Sequence, residues 1–201
     1  MTDVERFIRF CESEFGTAVM DREAAYVKQH VAADDQILDV GCGIGSLEER
    51  FAHHGIIGLD RSEAMIQAAR ERVSAPFILG DATTLPIATA SVDAVVFVST
   101  LEFIPDIDTV LAEATRVLAS DGTLVSLVLN TRSEYVQANL QREGSYFQQM
   151  IHQDSEALAD TILEYVEGDQ ELFLGISDEE VFESTDPTAA AISAIVGTPH
   201  K

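Results

Sequence analysis

Between residues 36 and 130, short apolar runs alternate with stretches of helical period, and no other feature narrows the fold as much. Strands covered by helices on both faces read as continuous apolar runs, whereas half-exposed strands alternate polar and apolar. Five such runs stand out: Gln36–Val40, Gly55–Leu59, Pro76–Leu79, Val92–Ser99 and Thr123–Leu129. Gly45–His53 reads as a short helix. Ser62 is placed to cap a helix carrying Met65, Ile66, Ala69 and Val73 on one face. A third helix starts near Asp106 or Asp108 and carries Val110, Leu111, Ala114, Val117 and Leu118, with Gly122 as its stop. This order predicts an α/β fold, a doubly wound, mostly parallel sheet with helices on both faces.

The flanks differ from this core. Within 1–35, residues 3–14 and 18–31 read as two helices ahead of the first strand. After Asn130 the chain becomes polar, with helices expected at Ser133–Arg142 and Ser155–Val166, the second started by Asp154 or Ser155 and stopped by Gly168. Two late strands, Glu171–Ile176 and Ala191–Gly197, are separated by an acidic loop, Ser177–Pro187. With no internal repeat and no boundary, the expectation is one domain: N-terminal helices (1–35), a central core (36–130), and a lid with the last strands (131–201).

Charge bears on partners. The 201 residues carry 35 Asp and Glu against 12 Lys and Arg, a formal net charge of −23, yet 46% are hydrophobic, which excludes a disordered acidic chain. Only Lys28 and Lys201 are lysines, and no Lys or Arg occurs from Glu143 through His200. Such a surface repels nucleic acid and anionic membranes and leaves two readings, a cationic partner or adaptation to high salt. In molar salt the screening length shrinks to about 3 Å, so the exclusion of nucleic acid softens there. Met1–Glu5 lacks the basic start of a signal peptide, and the longest apolar runs, Ala94–Val98 and Leu124–Leu129, are strand-sized. Cys11 and Cys42 have no spaced partners for a metal site or a disulfide framework. A cytoplasmic, soluble protein without metal is the expectation.

Three acidic marks punctuate the strand ends. The first strand runs through Asp39 into Gly41-Cys42-Gly43-Ile44-Gly45, a turn that lets a ligand touch backbone and offers amide N–H groups. Its spacing misses the dinucleotide fingerprint, whose third glycine would stand at Ser46. Asp60 closes the second strand, where a carboxylate can accept both hydroxyls of a ribose or, alternatively, help Ser62 cap the next helix. Asp81, in Gly80-Asp81-Ala82, closes the third; it can accept from an exocyclic amine while the Ala82 N–H faces a ring nitrogen, or it can be an ordinary turn residue. All three marks sit at carboxyl ends of strands, the ligand-binding edge of an open α/β sheet.

These segments, with Leu85-Pro86, Ser91-Val92-Asp93-Ala94-Val95 and Leu111-x-Glu113-x-x-Arg116-Val117-Leu118, resemble class I S-adenosylmethionine-dependent methyltransferases, closest to their type 11 small-molecule branch. The resemblance covers residues 36–130 and implies a Rossmann-like sheet of about seven strands with an antiparallel final strand inserted before the sixth. It implies that Gly41, Cys42 and Gly43 lie against the methionine part of S-adenosylmethionine, with Gly45 completing the loop and Asp39 orienting it. Asp60 would hold the ribose, Arg61 and Met65 would border the adenine, and Asp81 with Ala82 would meet its edge. Backbone around Val98, Ser99 and Thr100 would bound the methyl donor.

The acceptor side is less legible. In-line methyl transfer works by positioning, and a base is needed only where the acceptor must lose a proton. Phe15, Tyr26, Glu102, Phe103, Tyr135, Tyr146 and His152 lie in the parts that would cover a substrate, and His152 is the candidate base. Each also has a structural reading: Phe15 and Tyr26 as helix packing, Glu102 as a cap, and His152 as a structural histidine. Ser99-Thr100-Leu101-Glu102 stands where nucleic-acid amino methyltransferases carry Asn-Pro-Pro-Tyr, which points to a small-molecule acceptor. A non-catalytic S-adenosylmethionine-binding or scaffold protein and a nicotinamide oxidoreductase are the competing readings.

Overall fold

The computed structural model describes residues 3–52 and 54–200. Two helices, α1 (Asp3–Cys11) and α2 (Glu14–Val27), precede β1 (Gln36–Val40), α3 (Ser46–Arg50), β2 (Gly55–Asp60), α4 (Glu63–Arg72) and β3 (Phe77–Leu79). Then follow β4 (Val92–Val98), a 3-10 turn at Leu101–Phe103, α5 (Ile107–Val117), β5 (Leu118–Leu129) and α6 (Glu134–Gln141). A second 3-10 turn, Tyr146–Gln149, leads to α7 (Ser155–Leu163), β6 (Val166–Ser177), β7 (Glu180–Phe182) and β8 (Ala190–Pro199). His53, the expected end of α3, lies outside the described residues.

One eight-stranded sheet results, in the order β3-β2-β1-β4-β5-β8-β6-β7. The first five strands are parallel, and β8 pairs antiparallel with both β5 and β6. The eighth strand is β7, a short antiparallel addition to β6 inside the segment expected to be an acidic loop.

The continuous apolar runs are explained by burial on both faces. Leu38, Val40, Val95, Phe97, Leu124 and Val128 point into one core with the inner faces of α5 and α7. Their neighbours Ile37, Ala94, Val96, Val125 and Leu127 point into the other, with α2, Phe51 and Val136. That is the two-residue period of a strand read twice. Fully buried side chains such as Phe51 and Phe97 each contribute about 1.5–3 kcal/mol.

Helix starts follow local chemistry. Ser13, Ser62, Asp106, Ser133 and Asp154 each cap their helix by accepting an N–H bond three residues on. The ends depart from expectation at two glycines. Gly122 does not stop α5, which ends at Val117 because Leu118 already pairs with Val92; the register then shifts before Ala94 pairs with Thr123. Gly168 does not stop α7 but lies in β6 opposite Gly197, where a Cβ would stand 2.0 Å from the Val196 carbonyl oxygen. The strand order reverses between β1 and β4, and a crevice opens at their carboxyl ends.

Candidate functional site

A cavity of about 490 Å3 occupies that crevice, within the usual range for small-molecule sites. All the cofactor-side residues named above line it except Gly45, which caps α3 at φ +79. Gly41 needs its glycine: its φ is +85, and a Cβ there would stand 2.3 Å from Thr100 Cγ2 on the facing strand end.

The loop amides are engaged within the protein, contrary to the expectation that they are offered to a ligand. Gly41 and Cys42 donate to the Leu59 carbonyl at 2.7 and 3.1 Å. Gly43 N–H donates to Asp60 Oδ2 at 3.0 Å, and Ser62 N–H donates to Asp60 Oδ1 at 2.8 Å. Asp60 therefore ties β2, the glycine loop and the start of α4 together, and each oxygen keeps a second lone pair. The α3 helix has five residues and is too short for a sizeable dipole. Asp81 is exposed and accepts from Thr83 N–H and Oγ1–H, both on Oδ1; these bonds hold its carboxyl below the usual carboxylate range.

Asp39 is buried at the cavity wall, and its Oδ1 has no hydrogen-bond partner. Burial first, then the charges of Glu48 and Asp60, push its pKa well up. Glu48, also buried, is raised to about 7 by burial. Burial, with Asp39, Glu48 and Asp60 nearby, pushes the Cys42 thiol up as well, so it is no nucleophile. On the opposite wall Ser99 adopts a left-handed backbone, φ +47. Its neighbour Thr100 donates to the Val98 carbonyl at 2.9 Å.

Much of the remaining lining is apolar, with Glu23 and Gln149 as exceptions. Of the acceptor-side candidates, Phe103, Tyr135 and Tyr146 line the cavity. Phe15 packs edge-on to Tyr135 instead, and Tyr26 donates to Glu171 Oε1 at 2.5 Å while stacking on Phe173. His152 does not line the cavity. Its Nε2 meets the Ile104 carbonyl at 2.8 Å, and its backbone N–H donates to the Glu102 carbonyl, so it braces the segment after the second 3-10 turn. That placement does not suit a general base. Glu102 is not a solvated cap but fully buried, accepting the Leu129 N–H at 2.5 Å. Burial raises it to about 7.

Sequence reasoning missed Phe7, Phe10, Phe147 and, above all, Glu23. Glu23 is 4% exposed and lines the cavity, and its Oε2 has no partner. Burial, then the charge of Glu102, raises it to about 8, against a smaller opposing pull from Arg50. A signal existed: Glu23 stands midway between Val19 and Val27 on the buried stripe of α2, a carboxylate at a core position.

Residues 38–126 match the family model described as a methyltransferase domain, type 11. Over that segment, less than half of its length, the chain is similar to methyltransferase domains. Malonyl-[acyl-carrier protein] O-methyltransferase from Xylella fastidiosa is 38% identical over 97 residues, 44% of this chain and 33% of that protein. Trans-aconitate 2-methyltransferase from Variovorax paradoxus is 32% identical over 104 residues, 49% of this chain and 40% of that protein. The chain thus spans less than half the length of these curated relatives. Over nearly its whole length it shares the fold of a Thermotoga maritima methyltransferase described as a possible histamine N-methyltransferase, with a TM-score of 0.82 at 22% identity, covering 98% of this chain and 95% of that one.

Proposed function

We propose that this chain transfers the methyl group of S-adenosylmethionine to an O, N or C atom of a small molecule. The carrying observation is one continuous cavity that joins the carboxylates Asp39, Asp60 and Asp81, at successive strand ends, to a largely apolar, aromatic part. The residues present fit the cofactor: the orphaned, buried Oδ1 of Asp39 is an acceptor waiting for a donor, which an α-ammonium supplies. When bound, S-adenosylmethionine supplies a methyl group made electrophilic by its sulfonium.

Around it, Gly41, Cys42 and Gly43 present a loop surface without bulky side chains to the methionine part. Asp60 accepts the ribose hydroxyls, and Arg61 and Met65 border the adenine. Asp81 and Ala82 meet the adenine edge, while Val98, Ser99 and Thr100 bound the donor end. These residues position the reactants for in-line attack and keep water out.

We read the chain as cytoplasmic, in keeping with Cys11 and Cys42 being unpaired and buried, and its acidity as adaptation to high salt. Among the described residues no helix is long and apolar enough to cross a membrane. An untargeted product search with methyl-labelled S-adenosylmethionine, run in molar KCl and at low salt, tests the activity. One labelled small-molecule product is expected; tight cofactor binding without any product supports a binding protein instead.

A further inference from the structure

We propose that the acceptor is an amine carried on an apolar or aromatic frame, held through its nitrogen by Glu23 of α2. This deepens the methyl-transfer reading and rests on it.

Acidic side chains dominate the ionisable groups that face the cavity. Asp39, Asp60, Arg61 and Asp81 belong to its cofactor half. Among the described residues lining the cavity, Glu23 is the one acidic or basic side chain outside that strand-end set, and Phe7, Phe10, Phe103, Tyr135 and Phe147 belong to the same lining. The described lining holds no Lys or His, and its one Arg, Arg61, acts on Asp81 rather than on Glu23. A carboxylate or phosphate acceptor would find no cation to balance it and would be repelled by Glu23. An ammonium meets both an anion and the faces of aromatic rings.

Glu23 is also costly without a ligand. It occupies a core position of α2, 4% exposed, with Oε2 unpartnered, and a buried polar atom left in that state destabilises the fold. The groups that act on it do not relieve it. Glu102 is a second buried acid with its own unpartnered Oε2. Arg50 is engaged with Asp21 at 2.7 Å and with the Ser46 carbonyl at 3.0 Å. Tyr135 and Cys11 feel the Glu23 charge but carry none to offset it. A cation entering the cavity satisfies Glu23 and eases the Glu23–Glu102 repulsion.

The same carboxylate completes the chemistry. With Glu23 ionised, as it is above about pH 8, an acceptor arriving as an ammonium passes one N–H proton to a Glu23 oxygen. The freed lone pair forms the N–C bond at the methyl group as the C–S bond breaks, and that bonding pair stays on sulfur. The product leaves as a methylated ammonium, and Glu23 returns its proton to solvent.

The test is calorimetric titration of the protein loaded with S-adenosylhomocysteine. Its probes are phenylalkylamines with one to three methylenes, and alcohols and carboxylates of matched length. We expect an amine to bind at least tenfold more tightly than its matched alcohol, and the carboxylates not to bind. Glu23→Gln should cut amine affinity at least tenfold and leave S-adenosylhomocysteine affinity within twofold, which also reports that the variant folds. If Glu23→Gln does not fold, partial retention of amine binding by Glu23→Asp and the wild-type selectivity decide the matter. Amines binding no better than alcohols or carboxylates, or equally well to Glu23→Gln, overturn the proposal. Failure of S-adenosylhomocysteine itself to bind instead removes the methyl-transfer reading and the amine assignment with it.

Discussion

Asp60 holds two backbone amides at once, those of Gly43 and Ser62, so one carboxylate sets the shape of the glycine loop and the entry to α4. Bonds to a charged acceptor contribute about 1.5–3 kcal/mol each. Asp60→Ala should therefore lower the melting temperature as well as cofactor affinity, while Asp60→Asn should keep more of the first than of the second; thermal melts with and without S-adenosylhomocysteine separate the two. Gly41→Ala forces a side chain into a left-handed backbone against Thr100 and should cost about 1–3 kcal/mol in chemical denaturation. The buried acids give a pH signature. Glu23 is raised to about 8, and Glu48 and Glu102 to about 7. A carboxyl raised on folding contributes stability that is fully present below its unfolded pKa, near 4.5 for these three, and that is lost as pH rises through 7 to 8. Melts from pH 5 to 9 should show stability falling across that window, with a shallower fall in Glu23→Gln. The strand-end positions of Gly41, Asp60 and Asp81 were legible because turn residues there announce themselves. Glu23 was hidden inside a helix, and His152 misled because an isolated histidine carries no record of where its ring points.

At the scale of elements, the parallel strands were readable because burial on both faces leaves an unbroken apolar run, and the helix starts because each carries a Ser or Asp cap. The errors lie where one signal has two meanings. A glycine past an apolar helix reads as a stop, yet Gly168 is there to let β6 approach β8. The short strand β7 hides in acidic sequence because its pairing with β6 is made by backbone, not by side-chain pattern. The segment Glu113–Arg116 shows an element holding a loop. Arg116 donates to the Leu85 and Ile87 carbonyls and to Thr89 Oγ1, and Glu113 accepts the Leu85 N–H. Arg116→Met removes the three bonds that Arg116 donates to the loop and should cost about 2 kcal/mol, with faster amide hydrogen exchange confined to residues 83–91.

For the whole molecule, the net charge of −23 is the largest electrostatic fact, and it divides into two parts. Glu23, Asp39, Glu48 and Glu102 are buried, the first two at the cavity wall; most of the rest lie on exposed helix faces and late loops. Salt screens the exposed set and hardly reaches the buried one. The melting temperature should therefore climb between low salt and molar KCl, whereas the pH dependence assigned to Glu23, Glu48 and Glu102 should persist. A melting temperature indifferent to KCl would point the surface charge toward a cationic partner instead. If the strand-end carboxylates Asp39, Asp60 and Asp81 form a site for S-adenosylmethionine, isothermal calorimetry with S-adenosylhomocysteine reads it out. Saturable one-to-one binding by the wild-type chain, weakened at least tenfold in Asp60→Ala, is the predicted result; no heat of binding by folded wild-type protein at either salt concentration would contradict it.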